Sequence, residues 1–157
     1  MEKNSLIRKF LSFSIGGYIN ALIGLITVPI ITRMLSPEQY GVSSLINMIT
    51  EIMIIICCLG MDQGFARFFY EEKEENRGAL LYNSLYYCFF IFPVVMIIIF
   101  LLKKNLSRFI LGKENGLIWA LIILSIFFGI LKLFSFLVIR MQQRGKIYSL
   151  LNVLIKV

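Results

Sequence analysis

Histidine is absent from the 157 residues. That removes imidazole acid–base catalysis, histidine-activated nucleophiles and histidine metal sites. Cysteine occurs three times, at Cys57, Cys58 and Cys88. All three lie inside apolar runs and none forms C-x-x-C, so they read as small buried hydrophobes, not as redox or metal ligands. Acidic residues number nine, with Asp62 the lone aspartate and four crowded into Glu71, Glu72, Glu74 and Glu75. With 11 glycines and 3 prolines a collagen-like chain is excluded, and 16% charged residues is too few for a disordered chain or a coiled coil. No catalytic set, cofactor or metal centre is expected.

What fills the chain is apolar. Hydrophobic residues make up 59%, against about 45–50% in soluble domains. They come in blocks long enough to cross a bilayer. The net charge of +7 sits at the edges of these blocks, where basic residues anchor membrane helices. It forms no patch, so no nucleic-acid partner is expected; the expected partner is membrane lipid. The chain reads as an all-α integral membrane protein, a multi-helix bundle.

The spans are placed at about 10–32, 42–59, 79–102, 117–139 and 147–157. The first follows Lys3, Arg8 and Lys9 but exceeds the about 7–15 apolar residues of a signal peptide, and no A-x-A-like site follows, so it is read as retained. Ser36-Pro37-Glu38-Gln39 is a helix start, with an N-cap serine, proline at the first helical position and Gln39 as capping-box partner. Phe65, Phe68 and Phe69 recur at helical spacing and predict a helix lying on the membrane surface. Pro93 marks a kink in the third span. Leu106, Phe109, Ile110 and Leu111 form an apolar knot in the next loop. Trp119 is placed as an interface anchor of the fourth span. The fifth run reaches only about 16 Å at 1.5 Å per residue, half a bilayer core, and is expected to be a truncated helix of a longer protein.

Lysine and arginine set the orientation. Nine of the 16 fall on the side of the N-terminus, Gly60–Gly78 and Arg140–Lys146, five on the other side, and Lys132 and Lys156 lie within spans. The N-terminus is therefore expected in the cytoplasm.

Two charges lie at depth. Glu51 is about 12 Å from the end of the second span and Lys132 about 10 Å from the end of the fourth. Each is costly there, about 2.5–3.5 kcal/mol. Ser44, Asn47 and Glu51 share a face, as do Ser125, Gly129 and Lys132. The expectation is that both charges face the bundle interior or a cavity, within reach of each other or of a shared water. The alternative has Lys132 snorkel to the interface with Glu51 protonated.

Four segments resemble the N-terminal part of bacterial polysaccharide-biosynthesis flippases, in the superfamily that includes multidrug-and-toxin extruders and lipid II flippases. They are ITRMLSPEQYG at Ile31–Gly41, GMDQGFARFFYEE at Gly60–Glu72, LSRFILG at Leu106–Gly112 and LVIRMQQRGKIYSLLNV at Leu137–Val153. Their order and placement between spans agree with that family over essentially the whole chain. The resemblance implies two helix bundles with a cavity between them, in a bacterial cell membrane. It implies transport, without a covalent step, of a polyprenyl-diphosphate-linked oligosaccharide from the cytoplasmic to the outer leaflet. This chain would supply four complete spans and a truncated fifth of the first bundle, with a C-terminal bundle as the missing partner. Alternatives are a cation- or proton-coupled extruder, which Glu51 suits, and a small membrane subunit with only an interaction role.

Against that background, Glu51, Lys132, Arg33, Asn20 and Asn47 are the candidate substrate or coupling residues. Gly16, Asn20, Gly24 and Thr27 form one small, polar face, for helix packing or for lining the cavity. Arg33 reads as an interfacial anchor or a substrate contact. Arg67, with Glu71 at i+4, reads as a surface pair or a lipid-phosphate contact. Arg140 and Arg144, at i and i+4, read as a cytoplasmic gate or headgroup contact, or equally as orientation signals.

A cysteine placed at Asn76 is expected to react with an impermeant maleimide only after the cell is opened. Labelling of intact cells would reverse the orientation.

Overall fold

The computed structural model describes the backbone of residues 2–111 and 116–156 and the side chains of residues 14–101 and 116–155. The described residues form six α-helices, α1 (Glu2–Met34), α2 (Pro37–Cys58), α3 (Met61–Phe68), α4 (Arg77–Leu111), α5 (Gly116–Met141) and α6 (Gly145–Lys156), with one 3-10 turn at Glu74–Asn76. Four stretches are long and apolar enough to cross a membrane: Ser14–Met34, Pro37–Cys58, Glu74–Leu101 and Gly116–Met141. Helices suit this setting because each satisfies its own backbone hydrogen bonds in a solvent that offers none.

The boundaries differ from the sequence reading where charge was taken for a helix end. Helix α1 starts at Glu2 and carries the basic residues before Phe10 within it. Helix α4 runs on to Leu111, so Leu106, Phe109, Ile110 and Leu111 belong to its last turns and not to a loop. Lysine and asparagine at 103–105 are compatible with a helix that leaves the apolar layer; they stop a membrane span without stopping a helix. Residues 112–115, with Gly112, Lys113 and Asn115, lie outside the described residues. Helix α2 starts at Pro37 with Ser36 in the N-cap place and Glu38 in the first turn, as the sequence predicts.

The chain divides into two compact units. The first comprises Met1–Glu38 and Phe136–Val157. Here α1 packs on α6 through the small face of α1. The Gly16 N–H donates to Ser149 Oγ at 3.3 Å, and Asn20 Nδ2 donates to the Asn152 carbonyl at 3.2 Å. The approach is close because Gly16 has no side chain: a Cβ there would lie 2.7 Å from Ser149 Cα. Phe136 closes on Tyr148 edge to face, with ring centroids 5.5 Å apart.

Helix α5 ends in this unit with a Schellman motif. Arg144 N–H donates to Ile139 O at 3.2 Å and Gln143 N–H to Arg140 O at 3.0 Å. The motif needs a left-handed residue, and Gln143 supplies it with φ 56° where glycine is usual.

The second unit is Gln39–Ser135. Trp119, Ile122, Ile126, Ile130 and Phe134 are buried along one face of α5. Ser84, Cys88, Val95 and Ile99 are buried along one face of α4. Phe89 and Phe92 of α4 meet Phe127 of α5 at 5.2 and 6.1 Å. Gly129 lets α5 approach α2, its Cβ position lying against Ile54 Cδ1 and 3.2 Å from Ile54 Cγ1.

Helix α3 forms where its phenylalanine spacing predicts, but it does not lay that face on the membrane. Phe65 is 1% exposed and Phe69 4%, packed in the protein; Phe68 alone is half-exposed. Phe65 meets Phe134 edge to face at 6.1 Å. The turn into α3 uses left-handed backbone at Leu59 (φ 44°) and Gly60 (φ 81°), which folds the short helix back onto the unit. Trp119 likewise turns inward, 7% exposed, and does not act as an interface anchor.

The α1–α6 approach is tested by a matched pair. Gly16→Ala should lower stability in detergent by about 1–3 kcal/mol, because α6 backbone must move. Gly17→Ala, where a Cβ meets nothing within 4 Å, should be neutral or raise stability by up to about 1 kcal/mol. Thermal unfolding followed by circular dichroism reads the difference; equal shifts in the two variants would deny the contact.

Candidate functional site

The second unit carries its chemistry on the outside. On α2, Ser43, Ser44, Asn47 and Glu51 are exposed from the protein. The last three follow helical spacing and make one polar stripe within a membrane-crossing helix. On α5, Ser125, Lys132 and Ser135 are exposed. Ser135 satisfies its hydroxyl on the Leu131 carbonyl at 2.8 Å, and Thr50 does the same on Ile46 O at 2.9 Å. Such local bonds hide a hydroxyl from lipid. Glu51 and Lys132 have no such recourse.

The two charges do not pair. Among the described residues the ion pair is Arg77 with Glu74. The reason is register. Ile54 of α2 meets Gly129 of α5, and because one membrane-crossing stretch, Glu74–Leu101, lies between them in the chain, the two helices cross in the same direction. Glu51 lies one turn before the contact and Lys132 one turn after it. At 1.5 Å per residue they are offset by about 9 Å along the helices. Equal depth counted from the expected ends at Leu59 and Ile139 misled, because the two ends are not level: from the contact α2 runs on only to Cys58, whereas α5 runs on to Met141. Both side chains leave the packed interior, so each presents its charge outward and needs water or a polar partner there.

The remaining predicted residues are dispersed. Arg33 is exposed in the last turn of α1. Asn20 spends its amide N–H on the α1–α6 contact. Arg67 is exposed on α3 and stands over the Phe68 ring at 5.8 Å. It makes no pair with Glu71, because α3 ends at Phe68 and Glu71 falls in the following turn, off the i+4 face. Arg140 and Arg144 do not share a helix face. The Schellman motif separates them, leaving Arg140 in the last turn of α5 and Arg144 at the start of α6, where its carbonyl accepts from Tyr148 N–H at 3.0 Å.

One arginine carries more than its sequence position announces. Arg77, the first residue of α4, donates Nε–H to the Phe69 carbonyl at 2.9 Å and reaches Glu74 Oε1 at 3.3 Å. Its guanidinium also covers the Phe69 ring at 4.7 Å. The planar fork allows all three contacts at once. It ties the end of α3 to the start of α4 across the acidic run. The available signal was an arginine following EKEEN and eight residues from an aromatic pair; read as a solvated charge run, it passed unnoticed.

A family profile described as polysaccharide biosynthesis protein matches residues 6–157. The chain belongs to the polysaccharide biosynthesis protein family. The match takes in both compact units, so the family's sequence pattern runs through all four membrane-crossing stretches and α6. No curated protein matches the chain, and no solved structure does. Membership joins a multi-pass membrane protein to polysaccharide synthesis.

Arg77→Lys keeps the charge but cannot keep the fork. It should leave the Phe69 carbonyl short of a donor at a cost of about 1–3 kcal/mol and speed amide exchange over residues 69–76. Glu74→Gln should cost less, about 0–1 kcal/mol, since the carboxylate is largely in solvent. Hydrogen–deuterium exchange with mass spectrometry separates the two; an unchanged profile in Arg77→Lys would remove the tie.

Proposed function

We propose that this chain is the first helix bundle of a flippase that moves a polyprenyl-diphosphate-linked oligosaccharide from the cytoplasmic to the outer leaflet for cell-surface polysaccharide synthesis. A second bundle, contributed by further chain, completes the pathway, and the N-terminus lies in the cytoplasm. The observation that carries this reading is the outward polar stripe of α2 with Glu51, and Lys132 on α5, in a membrane chain of the polysaccharide biosynthesis family.

The physical demand of the reaction fits. Lipid holds the polyprenyl tail unaided. The sugar and diphosphate need a wet, polar path, and a charge that faces such a path escapes most of its cost in hydrocarbon. Lys132 attracts the diphosphate as a cation. Glu51 and the stripe of Ser44 and Asn47 offer hydrogen bonds to sugar hydroxyls. Alternating exposure of the cleft between two bundles moves the head group, and no bond is made or broken. In this reading Arg33 contacts the head group at one membrane face, and Arg140 and Arg144 contact it at the other.

In cells lacking the gene, lipid-linked glycan precursor should accumulate. The unaltered gene should clear it, and Lys132→Gln or Glu51→Gln should fail to, with protein levels preserved. Because the charges are offset and unpaired, exchanging them in Glu51→Lys/Lys132→Glu should not restore clearance. Normal precursor levels on deletion, with increased sensitivity to cationic drugs, would instead favour a cation-coupled extruder.

A further inference from the structure

In the first unit, α5 ends its membrane-crossing stretch at Met141 and α6 begins at Gly145. The junction carries Arg140, Arg144 and Lys146, all exposed. The Schellman bonds close it tightly, with Arg144 N–H on Ile139 O at 3.2 Å, so the two arginines emerge from a single turn of backbone. Among the described residues no carboxylate or carbonyl takes up the side chain of any of the three cations. The chain has no acidic residue after Glu114.

The level of this turn in the membrane follows from α1. Gly16 meets Ser149 and Asn20 meets Asn152, so α1 and α6 lie side by side and run the same way. Arg144, five residues before Ser149, therefore comes level with Leu11, five residues before Gly16. Lys9, the last charge before the apolar run of α1, is two residues away, about 3 Å along the helix. The turn stands at the edge of the hydrocarbon, among the lipid head groups. Beyond it, α6 gives Ser149 and Asn152 to α1. Ile147, Leu150 and Leu154 stay exposed at i, i+3 and i+7. They make one apolar stripe that starts beside Lys146 and runs about 10 Å into the layer.

Cations at the head-group level with an apolar stripe leading away from them call for phosphate above and hydrocarbon below. Arginine takes phosphate oxygens through paired N–H groups, and lysine takes them as a point charge. A zwitterionic head group brings an ammonium with its phosphate, and the turn has no carboxylate to receive it. Inorganic phosphate would leave the stripe unused. A protein helix would cover the stripe and leave the cations unmatched. An anionic phospholipid answers both.

We propose that the α5–α6 turn is a binding site for an anionic membrane phospholipid, its phosphate held by Arg140, Arg144 and Lys146 and one acyl chain laid along Ile147, Leu150 and Leu154. The site rests on the geometry of the first unit alone. It is independent of the transport reading, whether or not a substrate head group visits the same arginines.

Native mass spectrometry of the whole chain in detergent counts bound lipids. A basic residue facing an anionic lipid contributes about fivefold, so dioleoyl phosphatidylglycerol should bind at least about tenfold more tightly than dioleoyl phosphatidylcholine. High salt should weaken the preference. Arg140→Gln/Arg144→Gln/Lys146→Gln should bring the two lipids within about twofold of each other. Lys73→Gln/Lys103→Gln/Lys104→Gln, an equal loss of charge elsewhere, should keep the preference. Circular dichroism checks that both variants keep their helix content; Arg140→Lys/Arg144→Lys, which keeps the charge and spares the fold, should retain most of the preference. Glycerol phosphate, a head group without a tail, should not compete at equal concentration. Equal affinity for the two lipids in the unaltered chain would mean ordinary lipid contact and overturn the site. So would a preference that survives the loss of the three cations at the turn. Equal competition by glycerol phosphate would reduce it to a simple anion site. Retention of polyprenyl phosphate without any preference for phosphatidylglycerol would assign the turn to a polyprenyl carrier and overturn the phospholipid.

Discussion

Helices in lipid gain almost nothing from hiding apolar surface against each other, because the lipid is as apolar as they are. What holds α1 to α6 is how closely the two helices approach, and that depends on residues with little or no side chain. Gly16 admits the backbone of α6 and leaves its own N–H in reach of Ser149. Gly129 admits Ile54. Ser84, Cys57, Cys58 and Cys88 are small and almost completely buried. The larger side chains then fill what remains, as Phe127 does between Phe89 and Phe92.

The same principle sorts the polar groups. A hydroxyl can fold back on its own helix, as Thr32, Thr50, Ser84 and Ser135 do, and cost little. An amide can join two helices, as Asn20 does with Asn152. A full charge can do neither in an apolar surrounding. The arginine that is half withdrawn from solvent, Arg77, is fully engaged with a carbonyl, a carboxylate and a ring. Glu51 and Lys132 point away from the packed interior instead. Each therefore needs water or a polar partner where it emerges.

The architecture was legible because bilayer thickness writes itself into a sequence as runs of uncharged residues. Pro37 opening α2 and the phenylalanine spacing of α3 were readable for the same kind of reason, since both are set by local geometry. Direction was harder. The spacing of Phe65 and Phe69 shows that they share a face but not whether that face meets lipid or protein, and both are lipophilic destinations. Helix register was not legible at all. The offset of Glu51 from Lys132 is decided where Ile54 meets Gly129, a contact between residues 75 positions apart in the chain. Arg140 and Arg144 show a third limit: i+4 spacing implies a shared face only if the helix continues, and Gln143 in a left-handed conformation gives no warning in its chemistry, as a glycine would.

The three thiols have a practical consequence. All are free and buried. A thiol reacts as its thiolate in contact with water, so cysteines packed between apolar helices are inert to polar alkylating reagents. The natural chain is thus already silent to them, and probes attached through an introduced cysteine can be read without first replacing Cys57, Cys58 and Cys88. This spares the packing around three buried side chains, which a routine exchange for a larger or more polar residue would disturb.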